Sequence, residues 1–142
     1  MHHYLLGGRE TFQADRIAAE RAVTALPAMR TSAIASRQFL RRAVTFLAAE
    51  AGIDQFLDIG PGLPAKGAVH EVAHEVNPAA RVAYVDYDPV VVSHGNAMLA
   101  HSDLSIIVQA DLRDPDGLLS VPAIRAHLDF SRPVALTWVS AR

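Results

Sequence analysis

Four short apolar runs, Phe56 to Ile59, Val82 to Val85, Leu104 to Val108 and Val134 to Val139, constrain this 142-residue chain more than any other feature. Each is strand-sized, and segments of helical composition separate them. An uninterrupted apolar run has no solvent face, and strands without one belong to a parallel sheet covered on both sides by crossover helices. The back of the chain therefore reads as α/β, with four parallel strands. Asp88-Pro89 and Asp114-Pro115 each set a capping acid before a proline suited to the first helical position, so helices should begin at both points.

The front reads differently. Residues 15–26 and 32–51 are rich in Ala, Arg, Leu and Glu, and Leu40, Ala43, Val44 and Leu47 are spaced along one helical face. Two helices are expected, separated by Pro27, with Gly52 ending the second. This divides the chain into a helical segment over 1–52 and an α/β unit over 53–142.

Composition narrows the function classes. A net charge of −2 gives no electrostatic basis for binding nucleic acid or anionic lipid. The absence of cysteine excludes disulfides and thiolate metal sites. No apolar run approaches a membrane span, and Tyr4-Leu5-Leu6 is too brief for a signal-peptide core. A cytoplasmic protein with small-molecule partners is the resulting expectation, without nucleic acid or membrane.

The first strand runs into Asp58-Ile59-Gly60-Pro61-Gly62-Leu63-Pro64, a glycine turn leading toward a helix. Such a turn presents backbone N–H groups to a ligand, and glycine at 60 and 62 removes side chains that would hold a nucleotide away. Three acids share one edge of the expected sheet: Asp58 in that motif, Asp86 ending the second strand and Asp111 just past the third. Open α/β sheets bind ligands at this carboxyl edge, where the strand order reverses.

Taken in order, Leu57-Asp58-Ile59-Gly60-Pro61-Gly62, Tyr84-Val85-Asp86-Tyr87-Asp88-Pro89 and Gln109-Ala110-Asp111-Leu112-Arg113 resemble the successive motifs of class I S-adenosylmethionine-dependent methyltransferases. Adding Tyr4-Leu5-Leu6-Gly7-Gly8-Arg9, Phe12, Asp15-Arg16, Phe39-Leu40-Arg41-Arg42 and Val69-His70-Glu71-Val72-Ala73, the chain is similar to the actinobacterial S-adenosyl methyltransferase family formerly described as a domain of unknown function. The resemblance spans almost the whole chain. It implies a Rossmann-like fold and S-adenosyl-L-methionine as cofactor, with no acceptor specified. It further implies that Gly60 and Gly62 pass under the methionine and ribose, with Asp58 beside them. Asp86 would accept the ribose hydroxyls and Asp111 the adenine amino group, while Tyr87 and Leu112 pack on the adenine faces. Arg9 would approach the methionine carboxylate. Asp88 is read as a helix cap.

Two other chemistries fit parts of the sequence. Gly60-Pro61-Gly62-Leu63-Pro64-Ala65 satisfies a dinucleotide-binding pattern, with Asp86 able to hold an NAD ribose, although the spacing to Asp86 exceeds the usual ~20 residues. His70-Glu71-Val72-Ala73-His74 is a literal His-Glu-x-x-His, the zinc-peptidase pair. The extended form of that motif needs glycine and histidine where Asn77 and Ala80 stand, and a third ligand such as His94 lies beyond an intervening strand. No metal site is expected.

Class I methyltransferases carry seven strands, and this sequence ends at the fourth. The expectation is a truncated member holding the N-terminal half of the fold, in which cofactor binding outlives turnover. A cofactor-binding remnant is the alternative to an active enzyme. The fourth strand would then be an open edge, which predicts self-association through unpaired backbone groups.

Overall fold

The computed structural model describes residues 28–62 and 67–138. Within them the elements run α1 (Ala28–Ala49), β1 (Gln55–Ile59), α2 (Val69–Val76), β2 (Arg81–Asp86), α3 (Pro89–Met98), β3 (Ser105–Gln109), α4 (Pro115–Leu119), α5 (Pro122–His127) and β4 (Ala135–Thr137). All four strands pair in parallel in the order β3-β2-β1-β4. The reversal falls between β1 and its two neighbours: the chain steps outward to β2 and β3, then returns to the far side of β1.

Burial explains the strands. Every residue of β1 is buried, as are the last five of β2, because helices cover both faces of the sheet. On one face, Leu40 and Val44 of α1, Val69, Val72 and Ala73 of α2, and Val91 of α3 pack on Phe56, Val82, Tyr84 and Ile107. On the other, Leu118, Ile124 and Leu128 pack on Leu57, Ile59, Ala83 and Val85. Each large side chain so buried contributes roughly 1.5–3 kcal/mol, and period-two alternation within the strands assigns it to its face.

Helix α1 begins four residues before the expected Ser32 and ends at Ala49, with Gly52 in the left-handed conformation at φ 68°. The helix expected over 15–26 lies outside the described residues. Both Asp-Pro pairs start helices as expected: the Asp88 carboxylate accepts from Val90 N–H, and that of Asp114 from Gly117 N–H. The short α5 went unanticipated in the sequence. Among the described residues strand β4 is an edge of the sheet, and Leu136 within it and Trp138 just after it are 59% and 58% exposed. No helix among the described residues is long and apolar enough to cross a membrane.

Candidate functional site

At the carboxyl edge, β2 stops at Asp86 because Asp88 and Pro89 turn the chain into α3. The Asp86 carboxylate sits at the meeting point of two loops. Its Oδ1 accepts from Asp88 N–H at 2.9 Å and its Oδ2 from Gly62 N–H at 3.2 Å. Gly60 N–H donates to Val85 O at 2.8 Å, and Ala110 N–H to Asp86 O at 3.2 Å. The turn after β1, the end of β2 and the exit from β3 are thereby joined around one acid. Gly60 and Gly62 have φ of 66° and 76°, a region where any other side chain would be strained.

Beside this junction opens a cleft of about 360 Å³, lined by Gly60, Asp86, Tyr87, Asp88, Pro89 and Leu112. One carboxylate is fixed by main-chain donors, and an aromatic ring and aliphatic groups form walls around it. Charge-assisted hydrogen bonds of this kind are the strong ones, so the acid is held in place before any ligand arrives. The arrangement can grip hydroxyl groups and cover a flat apolar ring.

Of the residues singled out from sequence, Gly60, Asp86, Tyr87 and Leu112 line the cleft together, and Gly62 is bonded to Asp86. Asp58 lies one layer deeper, 6% exposed, where Thr137 Oγ1 donates to its Oδ1 at 2.7 Å. Burial pushes its carboxyl up to about 6, against the Thr137 hydrogen bond and the Arg37 charge that favour ionisation, while the nearby Asp86 adds to the rise. Asp111 stands outside the lining, held by Arg113 through both carboxylate oxygens at 2.9–3.2 Å. This pairing holds the Asp111 carboxyl below the usual range. Arg9 lies outside the described residues. Asp88, read as a cap, both caps α3 and lines the cleft.

Sequence reading missed Arg113, whose guanidinium stacks 5.8 Å from the Tyr87 ring centroid while holding Asp111. Its position directly after Asp111-Leu112 was the available signal. It also missed Thr137, whose role depends on the β1–β4 register that sets it opposite Asp58.

The His-Glu-x-x-His segment forms α2, and its polar groups have structural partners. His70 Nδ1 lies 2.6 Å from Tyr84 Oη, which also accepts from His70 N–H at 2.8 Å. His74 Nε2 lies 2.8 Å from Ala80 O, and Glu71 accepts from Gly67 N–H at 3.0 Å. Burial lowers the His70 pKa and raises that of Tyr84. The two His70–Tyr84 contacts pin the start of α2 to β2.

The family model described as S-adenosyl methyltransferase matches residues 1–141. The chain belongs to the S-adenosyl methyltransferase family, of the class I α/β type. Among solved structures, a protein from Thermobifida fusca YX assigned as a methyltransferase is 50% identical, with a TM-score of 0.90 over 95% of this chain and 51% of that one. A DUF574 family protein from Streptomyces avermitilis MA-4680 is 42% identical, with a TM-score of 0.87 over 95% of this chain and 52% of that one. The chain thus spans about half the length of both. No curated protein matches it.

Proposed function

We propose that the carboxyl-edge cleft binds S-adenosyl-L-methionine and that the chain supplies the cofactor half of a methyl-transfer reaction. The single observation that supports this most is the Asp86 carboxylate, fixed by Gly62 and Asp88 N–H groups at the mouth of a cleft walled by Tyr87 and Leu112. The residues suit the ligand. A carboxylate at the end of β2 complements a pair of ribose hydroxyls, the side-chain-free Gly60 and Gly62 allow close approach, and Tyr87 and Leu112 offer faces for adenine. Asp58, two residues before Gly60, is held by Thr137 and would stand beside the methionine end of the cofactor. Asp111 would reach the adenine amino group by sharing or leaving Arg113, and Arg9 would approach the methionine carboxylate. When bound, the cofactor supplies a methyl group on a positively charged sulfur. What the protein adds is position and exclusion of water, which dominate the acceleration of a simple displacement.

Calorimetric titration with S-adenosylhomocysteine tests this, with Asp86→Ala and NAD alongside. Wild type should bind S-adenosylhomocysteine and not NAD, and Asp86→Ala should lose about one to two decades of affinity, the worth of a charge-assisted pair. Normal binding by the mutant, or preference for NAD, rejects the assignment.

The β4 edge belongs to the same reading. Among the described residues no strand pairs with the outer side of β4, and Leu136 and Trp138 stand exposed there. Pairing of two copies there predicts a dimer in size-exclusion chromatography with light scattering. A monomer at every concentration rejects it.

A further inference from the structure

The amino edge of the sheet carries a second cleft, of about 420 Å³, lined among others by Gln55, Arg81, Arg125, Asp129, Phe130 and Arg132. Three arginines line it in a chain whose net charge is −2. Their partners differ. Arg132 is neutralised by Asp54, through both carboxylate oxygens at 3.0 Å, and by Asp129 at 3.4 Å. Arg81 and Arg125 make no ion pair among the described residues. Arg81 donates to His127 O at 3.3 Å, and Arg125 stacks over the Phe130 ring with its Cζ 5.7 Å from the centroid. His127 cannot offset them as an acid, and its pKa is lowered chiefly by burial, with Arg81 adding to the fall.

The wall of this cleft is rigid. Gln55, 1% exposed, donates to Asp129 O at 2.9 Å and Pro133 O at 3.3 Å, and accepts from Asp129 N–H at 2.6 Å. Asp129 in turn accepts from Ser131 N–H at 3.0 Å and Ser131 Oγ at 2.6 Å. The segment that presents Phe130 is therefore fixed to the first residue of β1. Arg81 and Arg125, which have no ion pair among the described residues, stand with Arg132 against two acids, Asp54 and Asp129, so the cleft keeps an excess of one positive charge beside an aromatic ring. That combination matches a small ligand with an oxyanion and an apolar body.

We propose that this cleft is a second ligand site, in which Arg81 and Arg125 hold the phosphate of an aromatic or apolar phosphate monoester and Phe130 packs on its body. The site is on the opposite edge of the sheet from Asp86 and is independent of the cofactor assignment.

Phenyl phosphate and inorganic phosphate, titrated separately into the full chain at low ionic strength and followed by amide NMR, distinguish an ester from the free ion. Saturable shifts should cluster at residues 125–132, with phenyl phosphate bound several-fold more tightly than inorganic phosphate. The Arg81→Gln/Arg125→Gln variant should bind phenyl phosphate at least about tenfold more weakly. Arg81→Lys/Arg125→Lys, which keeps the charge, should recover part of that loss, and Phe130→Ala should abolish the preference for the ester. Amide spectra of each variant report whether it is folded, and Asp86→Ala should bind phenyl phosphate as wild type does. The proposal is overturned by non-saturable shifts, by equal affinity in wild type and the folded glutamine variant, by preference for the free ion, or by binding that disappears with Asp86→Ala.

Discussion

Gln55 and Asp58 are three residues apart on one buried five-residue strand, and the protein treats them in opposite ways. Gln55, at the amino edge, is 1% exposed and has both of its side-chain polar atoms bonded to main chain. Asp58, at the carboxyl edge, is 6% exposed and receives one side-chain hydrogen bond, from Thr137. A neutral amide meeting its complement is a fastener, and it costs little to bury. A carboxylate with one donor resists ionisation instead, which is why its pKa rises to about 6. The difference separates a residue that builds the sheet from one buried next to the glycine turn of the proposed cofactor cleft. Perturbed acids concentrate at such places.

Asp58→Asn replaces the buried carboxylate with a neutral amide like that of Gln55, so it is the most direct way to break the contrast. A carboxyl whose folded pKa is raised binds its proton more tightly in the folded state. Wild-type stability should therefore fall as pH rises from about 4 to about 6 and stay lowered above that window, by an amount on the order of 3 kcal/mol. The asparagine variant should lose that slope and melt no lower than wild type at pH 8. Melting temperatures followed by circular dichroism between pH 4 and pH 8 decide it. Parallel wild-type and variant curves would mean that Asp58 titrates as an ordinary surface acid.

Much of the architecture was legible because its causes are local. Strand-length apolar runs marked all four strands to within about two residues, the two Asp-Pro pairs marked helix starts, and of the three acids at strand ends Asp86 lines the cleft. Helix α5 was missed because six residues give too little periodicity, with Pro122 as its only local mark. What stayed hidden depends on pairing across the chain. Gln55 meets Asp129 and Pro133, 74 and 78 positions away, and the arginine cleft gathers Arg81, Arg125 and Arg132 from separate segments. Asp111 was legible as an edge acid, but its capture by Arg113 is a side-chain choice that spacing does not reveal. The same holds for the Asp58–Thr137 contact, 79 positions apart, which exists only once β4 has docked parallel to β1.

Thr137→Val sharpens the contrast from the other side by removing the one donor while keeping the shape of the side chain. Leaving a buried acceptor without its partner should cost about 1–3 kcal/mol at pH 8, where Asp58 is ionised. At pH 5 Asp58 is largely protonated and the cost should shrink, because a neutral carboxyl needs the donor less. With the hydrogen bond gone, the force that favours ionisation is weaker and the Asp58 carboxyl should move further up. The variant's stability should then go on falling with pH beyond the point where wild type levels off. In the Asp58→Asn background the same substitution should lose this pH dependence. A penalty equal at pH 5 and pH 8 would show that Thr137 serves the packing of β4 alone, and that Asp58 has no more need of a partner than Gln55, whose partners are already complete.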